Sequence, residues 1–311
     1  MKLFARLAAL LVLAASFAAP AVAQEHASSA AAAEQEQQQV DFVMPHVMDS
    51  HHVEIPFKGE VELPHWAPVS IFGTSVDLSP TKHVVMLLIA SFLVVLTMTL
   101  AAIGAKRQTQ TQGHTSGFTG MIETMVLFVR NEVVMPNVGA HGEKFAPFVI
   151  TLFFFILFAN LLGLIPYGST ATGNINVTFT LAVITFLVIE GATIAATGWK
   201  YIFTIFYWPH DVPVYIKLPL TFIMTPIELI SKFTKPFALM IRLFANMIAG
   251  HIVLLSMIGL IFTFGSLAVA VGPVAMGIGI SLLEIFVAFL QAFIFALLAS
   301  VFIGLGRMGA H

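Results

Sequence analysis

The chain has 311 residues, of which 58% are apolar and only 10% are charged, with a formal net charge of −2 at pH 7. Soluble domains carry roughly 25% charged residues, so this composition excludes a cytosolic enzyme and argues against a nucleic-acid-binding protein. Cysteine is absent, which excludes disulfides, zinc–thiolate sites and a cysteine nucleophile. The sequence predicts no catalytic residue, metal site or cofactor.

The N-terminal residues 1–23 have the features of a secretory signal peptide. Lys2 and Arg6 precede the apolar run Leu7–Ala19, and Ala21-Val22-Ala23 forms a small-x-small cleavage site. An uncleaved first membrane helix is the alternative, although the apolar run is short for a bilayer.

The segment after the predicted cleavage site is polar and has no helical period. It is rich in Gln, Ala, Ser and Glu at first, and Pro and His are scattered farther on. This composition is typical of a solvated, flexible segment. We therefore predict a periplasmic, partly disordered segment at residues 24–81, followed by a multi-span membrane domain at residues 82–311.

Hydropathy predicts five membrane-spanning segments and one amphipathic helix. Phe118–Val134 interleaves apolar and charged residues and is expected to lie in the membrane interface, with a solvated loop helix as the alternative. The predicted spans are Val84–Ile103, Phe145–Ile165, Val177–Thr197, Leu218–Phe264 and Val274–Gly304.

The basic residues of the loops predict the orientation of these spans. If each segment crosses once, the basic side chains Lys106, Arg107, Lys200, Lys217 and Arg307 fall on one side of the membrane. Positive residues are retained in the cytoplasm. The mature N-terminus is then periplasmic, as a signal peptide independently requires, and the C-terminus is cytoplasmic.

The last two segments are too long for simple crossings. A helix from Ile227 to Phe264 would be roughly 57 Å long, against a hydrocarbon core of about 30 Å. Such a helix is kinked, turns back or lies strongly tilted, and Pro226 and Pro236 can break it near its start. We predict two long, strongly tilted helices packed as an antiparallel hairpin around Gly272-Pro273. The fold class is accordingly an all-α membrane protein.

A few ionisable groups lie deep in the predicted spans, where a charge costs at least about 2.5–3.5 kcal/mol. They are Glu190, Glu228, Arg242, His251 and Glu284. The guanidinium of Arg242 stays protonated at any physiological pH, so it can hold a carboxylate ionised or block protons but cannot relay them. His251 and Glu284 titrate and can pass protons.

Helical geometry sorts these groups into faces. Asn246 lies one turn from Arg242 on nearly the same face, whereas His251 is nine residues on, about 180° away. Glu284 and Gln291 lie on one stripe of the last segment. The residues therefore suggest a proton path that is divided into separate parts, with a permanently charged cation between the parts. The alternatives are that Arg242 and Glu284 form a structural ion pair, that His251 is a core histidine, and that Gln291 is a contact between helices.

Four stretches of the chain resemble subunit a of the rotary F-type ATP synthases. The arginine motif is PFALMIRLFANMIAGH at residues 236–251, and LEIFVAFLQAFIF at residues 283–295 matches the last helix of that family. FFILFANLLGLIP at residues 154–166 and NINVT at residues 174–178 match its second and third spans. The resemblance covers about residues 80–306.

This resemblance implies a stator subunit beside a rotating ring of c subunits, with b-type peripheral-stalk subunits and the other ATP synthase subunits as further partners. Arg242 would face the ring carboxylate and separate two aqueous half-channels for protons. Asn246, His251 and Glu284 would line the periplasmic route, Gln291 would lie across from Arg242, and Glu228 would line the cytoplasmic exit. The implied location is the bacterial inner membrane, and catalysis would belong to soluble partners rather than to this chain.

The chain also departs from the pattern of that family. Some relatives carry a carboxylate at the position of His251 and a histidine at that of Glu284, so the pair is exchanged here. Glu190 has no counterpart. Two other functions compete with the stator: a self-contained ion-coupled secondary transporter, which tends to show internal repeats that are not found here, and a structural anchor, which would not need ionisable groups at depth.

Overall fold

The computed structural model describes residues 49–50, 52–55, 59–66, 69–71, 74–76, 79–139, 142–165, 170–201, 213–264 and 267–308. The predicted signal peptide, residues 1–23, lies outside the described residues, as does the start of the segment that follows it.

Long helices dominate the described part of the chain. A π-helical stretch, Val129–Val134, joins α2 to α3, and short 3₁₀ turns occur at Gly142–Lys144, Ala171–Gly173 and Gly198–Lys200. The α-helices are α1 (Lys82–Gln112), α2 (Gly117–Phe128), α3 (Met135–Val138), α4 (Ala146–Gly163), α5 (Ile175–Thr197), α6 (Val214–Phe264) and α7 (Leu267–Met308).

The prediction of five membrane-spanning helices is confirmed. The described residues contain five helices long and apolar enough to cross a bilayer: α1, α4, α5, α6 and α7. The amphipathic stretch is also helical, as α2 and its π-helical continuation. Its position in the membrane interface stays a prediction.

Helix α7 is the centre of the bundle and packs against α4, α5 and α6. Ala288, Ala292, Ala296 and Ala299 are fully buried at spacings of three and four residues, so they form one face of α7. Small side chains let neighbouring backbones approach closely, which is how helices associate in an apolar solvent.

The segment from α2 to α3 closes the bundle near the C-terminal end of α7. Val129, Val133 and Val134 are at most 1% exposed. Arg307 donates a hydrogen bond from Nη1 to the Val138 carbonyl oxygen over 3.4 Å, and a Cβ built on Gly304 would overlap the Asn137 carbonyl group. The two backbones therefore meet at Gly304.

Helices α6 and α7 form the predicted antiparallel hairpin, but its turn was predicted in the wrong place. Gly272 and Pro273 lie inside α7, which begins at Leu267, and α6 ends at Phe264. Pro219, Pro226 and Pro236 likewise stay inside α6 instead of breaking it. Membrane helices tolerate proline because neighbouring groups and local adjustments satisfy the freed carbonyls. The strong tilt of both helices stays a prediction.

Two short antiparallel hairpins precede α1 and were missed by the sequence analysis. Strand β1 (His52–Ile55) pairs with β2 (Gly59–Glu62), and β3 (Val69–Ile71) pairs with β4 (Thr74–Val76). The alternation of apolar and polar residues in HVEI and GEVE is the period-two signal that indicates such strands.

Candidate functional site

The α6–α7 hairpin is held at its middle by polar contacts. The Asn246 side chain donates a hydrogen bond from Nδ2 to Gln291 Oε1 over 2.8 Å, and Gln291 is 4% exposed. One turn farther along α6, Gly250 lies against the Glu284 carboxylate, which occupies the space that a Cβ at residue 250 would need. The sequence analysis placed Asn246, Gln291 and Glu284 at the site but missed Gly250, whose role becomes visible only from its neighbour.

Arg242 lies on the outer face of α6. Its side chain is exposed, and no other residue that the structure describes forms a hydrogen bond or an ion pair with its guanidinium. Three exposed alanines, Ala238, Ala245 and Ala249, lie on the same side of α6 as Arg242. We refer to Ala238, Arg242, Ala245 and Ala249 as the Arg242 face. The alternative of an Arg242–Glu284 ion pair is not found, since Glu284 faces inward and is 6% exposed.

On the inner side of the hairpin, buried polar groups converge between α4, α6, α7 and the turn before α5. The Thr170 hydroxyl and His251 Nε2 are hydrogen-bonded, and Thr172 donates to Asn160 Oδ1 over 2.7 Å. Asn160 Nδ2 and Glu284 Oε2 have no hydrogen-bond partner among the described residues. We call this set the His251 cluster: Asn160, Thr170, Thr172, His251 and Glu284.

A buried polar atom that lacks a protein partner needs a hydrogen bond from water or another small polar group. The helical-face argument agrees with this placement of the cluster, because His251 points inward while Arg242 points outward. Thr170 and Thr172 were missed because they lie in an uncharged loop without any motif that marks them.

A second set of polar residues lies at the opposite end of the bundle, where α5, the start of α6 and the end of α7 meet. The Lys232 Nζ atom is 3.4 Å from Glu190 Oε2, and both side chains are at most 16% exposed. Tyr201 donates a hydrogen bond to the Glu190 carboxylate, and Lys232 Nζ lies 4.6 Å from the centre of the Tyr201 ring. Burial and the Glu190 carboxylate raise the pKa of Tyr201 to about 12, so Tyr201 remains a neutral donor.

Glu190 and Lys232 border a cavity of about 160 Å³. Glu228 and Lys235 line it as well, together with Thr193, Pro236 and Phe302. We call its four charged residues and Tyr201, which is hydrogen-bonded to Glu190, the Glu190 cluster: Glu190, Tyr201, Glu228, Lys232 and Lys235. A polar cavity of this size has room for several water molecules.

A run of buried apolar side chains on α6, which we call the dry wall, separates the two clusters. Leu239, Met240, Leu243 and Met247 are at most 5% exposed. They pack in the bundle beside the alanine face of α7. Lys235 and His251 are 16 positions apart in the sequence, which is about 24 Å along a helix at 1.5 Å per residue. Arg242 lies between them, at the level of the wall.

A third polar contact joins the N-terminal segment to the end of the bundle that carries the His251 cluster. Asp49 Oδ1 is 2.6 Å from His83 Nδ1, and Asn174, the N-cap of α5, donates to Asp49 Oδ2 over 3.3 Å. Burial alone raises the pKa of Asp49, but the hydrogen bond and positive charge of His83, aided by Thr81, outweigh it, so the pKa of Asp49 is lowered.

Comparison with known proteins identifies the family. A model of the family described as "ATP synthase A chain" matches residues 84–304. ATP synthase subunit a 2 of Chlorobaculum tepidum is 45% identical over 231 residues, which is 74% of this chain and 62% of that protein. ATP synthase subunit a of Pelodictyon phaeoclathratiforme is 45% identical over 232 residues, covering 74% of this chain and 65% of that protein.

The chain thus spans slightly less than two thirds of these relatives. In the described part of the chain, nearly all of the five long helices and both polar clusters fall within the matched region. On these grounds the chain belongs to the ATP synthase A chain family.

Proposed function

We propose that this chain is the proton-translocating membrane subunit of a rotary ATP synthase, which couples proton flow to ring rotation and ATP synthesis. The observation that carries the proposal is the placement of Arg242. Its guanidinium has no partner among the described residues and is exposed on the outer face of α6, level with a dry wall that separates two polar clusters.

The separation of the clusters provides two half-channels rather than one pore. Protons need water or titratable groups to move, and the wall of Leu239, Met240, Leu243 and Met247 offers neither. A proton can therefore pass from one cluster to the other only on a carrier outside the hairpin. A carboxylate on a moving ring, presented to the Arg242 face, is such a carrier.

The fixed charge of Arg242 controls what that carboxylate can do. At about 4 Å and an effective dielectric constant near 20, a guanidinium and a carboxylate attract by about 4 kcal/mol. Every 1.4 kcal/mol is a factor of ten, so a carboxylate opposite Arg242 is ionised almost completely. A protonated carboxylate cannot pass Arg242 without releasing its proton, which prevents a short circuit between the half-channels.

The two clusters supply the routes on either side. His251, Glu284 and Asn246 line the periplasmic half-channel, with Gln291 held against Asn246, and Glu228 lines the cytoplasmic one. A proton passes through the His251 cluster to the ring carboxylate, travels with the ring, and is released to the Glu190 cluster.

The Arg242 face is the docking surface for the c-subunit ring. Its alanines allow a partner helix to approach closely, and its charge attracts an acidic side chain. The b-type peripheral-stalk subunits and the other ATP synthase subunits complete the assembly, and ATP is made on soluble partners rather than on this chain.

The chain is a multi-pass membrane protein, and its similarity to bacterial ATP synthase a subunits supports our assignment to the bacterial inner membrane. We assign the N-terminus to the periplasm and the C-terminus to the cytoplasm, because the basic residues Lys106, Lys200 and Arg307 share one side of the membrane. Cleavage after residue 23 then leaves residues 24–81 as the periplasmic segment ahead of the membrane domain at residues 82–311.

The experiment that tests this function replaces Arg242 by alanine in the assembled complex in inverted membrane vesicles. We expect loss of proton-driven ATP synthesis with the complex still assembled, and a rise in passive proton leak. Ala196→Ser, on an exposed position of α5, serves as the control. Coupled synthesis that persists in Arg242→Ala would contradict the proposal.

A further inference from the structure

Glu190 and Lys232 form an ion pair inside the helix bundle, and the proposed mechanism gives neither residue an individual role. They lie 42 residues apart, on α5 and α6, and their side chains are 16% and 13% exposed. Removing two charges from water costs several kcal/mol each, and their attraction often fails to repay this cost. Such a pair in a membrane helix bundle marks a wet, functional region more often than a packing device.

The surroundings of the pair are those of a water-filled passage. The pair borders the 160 Å³ cavity opposite Glu228, so two carboxylates and two ammonium groups face one space. Thr193 adds a hydroxyl to the same wall. The two carboxylates and two ammonium groups sum to no net charge, and water can satisfy the remaining polar atoms.

Tyr201 restricts the ways in which Glu190 can act. Its hydroxyl donates to the Glu190 carboxylate, and its pKa of about 12 keeps it protonated. Tyr201 therefore positions the carboxylate and does not relay protons itself. Lys232 balances the carboxylate charge from the other side at 3.4 Å.

We infer that Glu190 is a second proton-accepting carboxylate of the cytoplasmic half-channel, working after Glu228 in the same cavity. This inference rests on the proposed function. The O–H bond of protonated Glu228 breaks and its proton passes through cavity water to a Glu190 carboxylate oxygen. The new O–H bond then breaks as the proton leaves to cytoplasmic water, so both carboxylates return to their ionised form and no electrons are exchanged.

The test is passive proton conduction through the membrane sector of the assembled complex in inverted vesicles after removal of the soluble sector. General acid–base groups contribute about 10²–10⁴-fold, but Glu228 and water remain, so we expect Glu190→Gln to lower conduction about tenfold. Glu190→Asp should restore most of it. Glu143→Gln, in an exposed ion pair with Arg130, is the matched control and should conduct normally.

A double variant separates a proton acceptor from a structural ion pair. Neutralising both members of a buried pair is often harmless, whereas removing one leaves an uncompensated charge. If the pair is structural, Glu190→Gln with Lys232→Met regains conduction. If Glu190 accepts protons, the double variant conducts as poorly as Glu190→Gln alone, and recovery of the double variant overturns the inference.

The same vesicles distinguish failure of this inference from failure of the proposed function. Normal conduction in Glu190→Gln, combined with lost coupling in Arg242→Ala, removes Glu190 from the path and leaves the stator function intact. Retained coupling in Arg242→Ala contradicts the proposed function itself.

Discussion

The contact between Gly250 and Glu284 predicts that one added methyl group disrupts the proposed periplasmic half-channel. In Gly250→Ala the new Cβ would overlap a carboxylate oxygen of Glu284 and lie only 3.1 Å from its Cδ and 3.3 Å from its Cγ. The carboxylate must leave its position because α7 is fixed by the buried alanine face. Overpacking of this kind costs about 1–3 kcal/mol, which lowers the occupancy of the present carboxylate position by about 5- to 150-fold.

Passive proton conduction of the assembled complex measures this effect. We expect Gly250→Ala to assemble and to conduct several-fold more slowly than the unchanged protein. The control is Gly259→Ala in the same helix, where an added Cβ meets nothing within 4 Å. Equal conduction in the two variants would refute the reasoning that the Glu284 position matters for proton passage.

Three further predictions follow from contacts elsewhere in the bundle. Asn246→Ala leaves the buried Gln291 amide without its 2.8 Å partner, which should destabilise the complex by about 1–3 kcal/mol; an unchanged melting temperature in detergent would speak against it. Gly304→Ala places a Cβ 2.9 Å from the backbone carbonyl carbon of Asn137, so immunoblots of membranes should show little folded subunit, and normal amounts would argue against this close approach. The pKa of Asp49 is lowered from its ordinary 3.8. The bond from the ionised Asp49 carboxylate to His83 therefore stabilises the attachment of the N-terminal segment to the bundle above pH 3.8, and this stabilisation is lost as the pH falls below that value. Limited proteolysis of residues 49–81 should therefore increase in acid, and Asp49→Asn should be cleaved readily even at neutral pH; protection of that variant would exclude the contact as the tether.

The number of membrane-spanning helices could be predicted from the sequence because hydropathy reflects the bilayer directly. The second and third predicted spans agree with α4 and α5 to within two residues at each end, whereas α1 continues to Gln112, nine residues beyond the predicted end at Ile103. The positions of Arg242, His251 and Glu284 were also predictable, since ionisable residues are rare at membrane depth. The prediction that the side chains of Arg242 and His251 point in opposite directions followed from the helical period alone.

Features that depend on distant contacts could not be predicted. The pairing of Glu190 with Lys232 joins two helices, and nothing local in either stretch indicates the partner. The space at Gly250 is defined by Glu284, which lies 34 positions farther along the chain. The hairpin turn was misplaced because proline and glycine end helices in water, whereas an apolar bundle keeps them helical.

The account depends most directly on Arg242 facing the rotor ring. The chain has no cysteine, so Ala245→Cys, one turn from Arg242 on the exposed side of α6, introduces a unique thiol for cross-linking to a cysteine placed beside the ring carboxylate. We predict an efficient cross-link to the c subunit that stops proton-driven rotation, and none from Ala195→Cys on the exposed side of α5. If the thiol at position 245 reacted only with lipid-soluble reagents and never with the ring, Arg242 would not face the rotor, and the account would be contradicted.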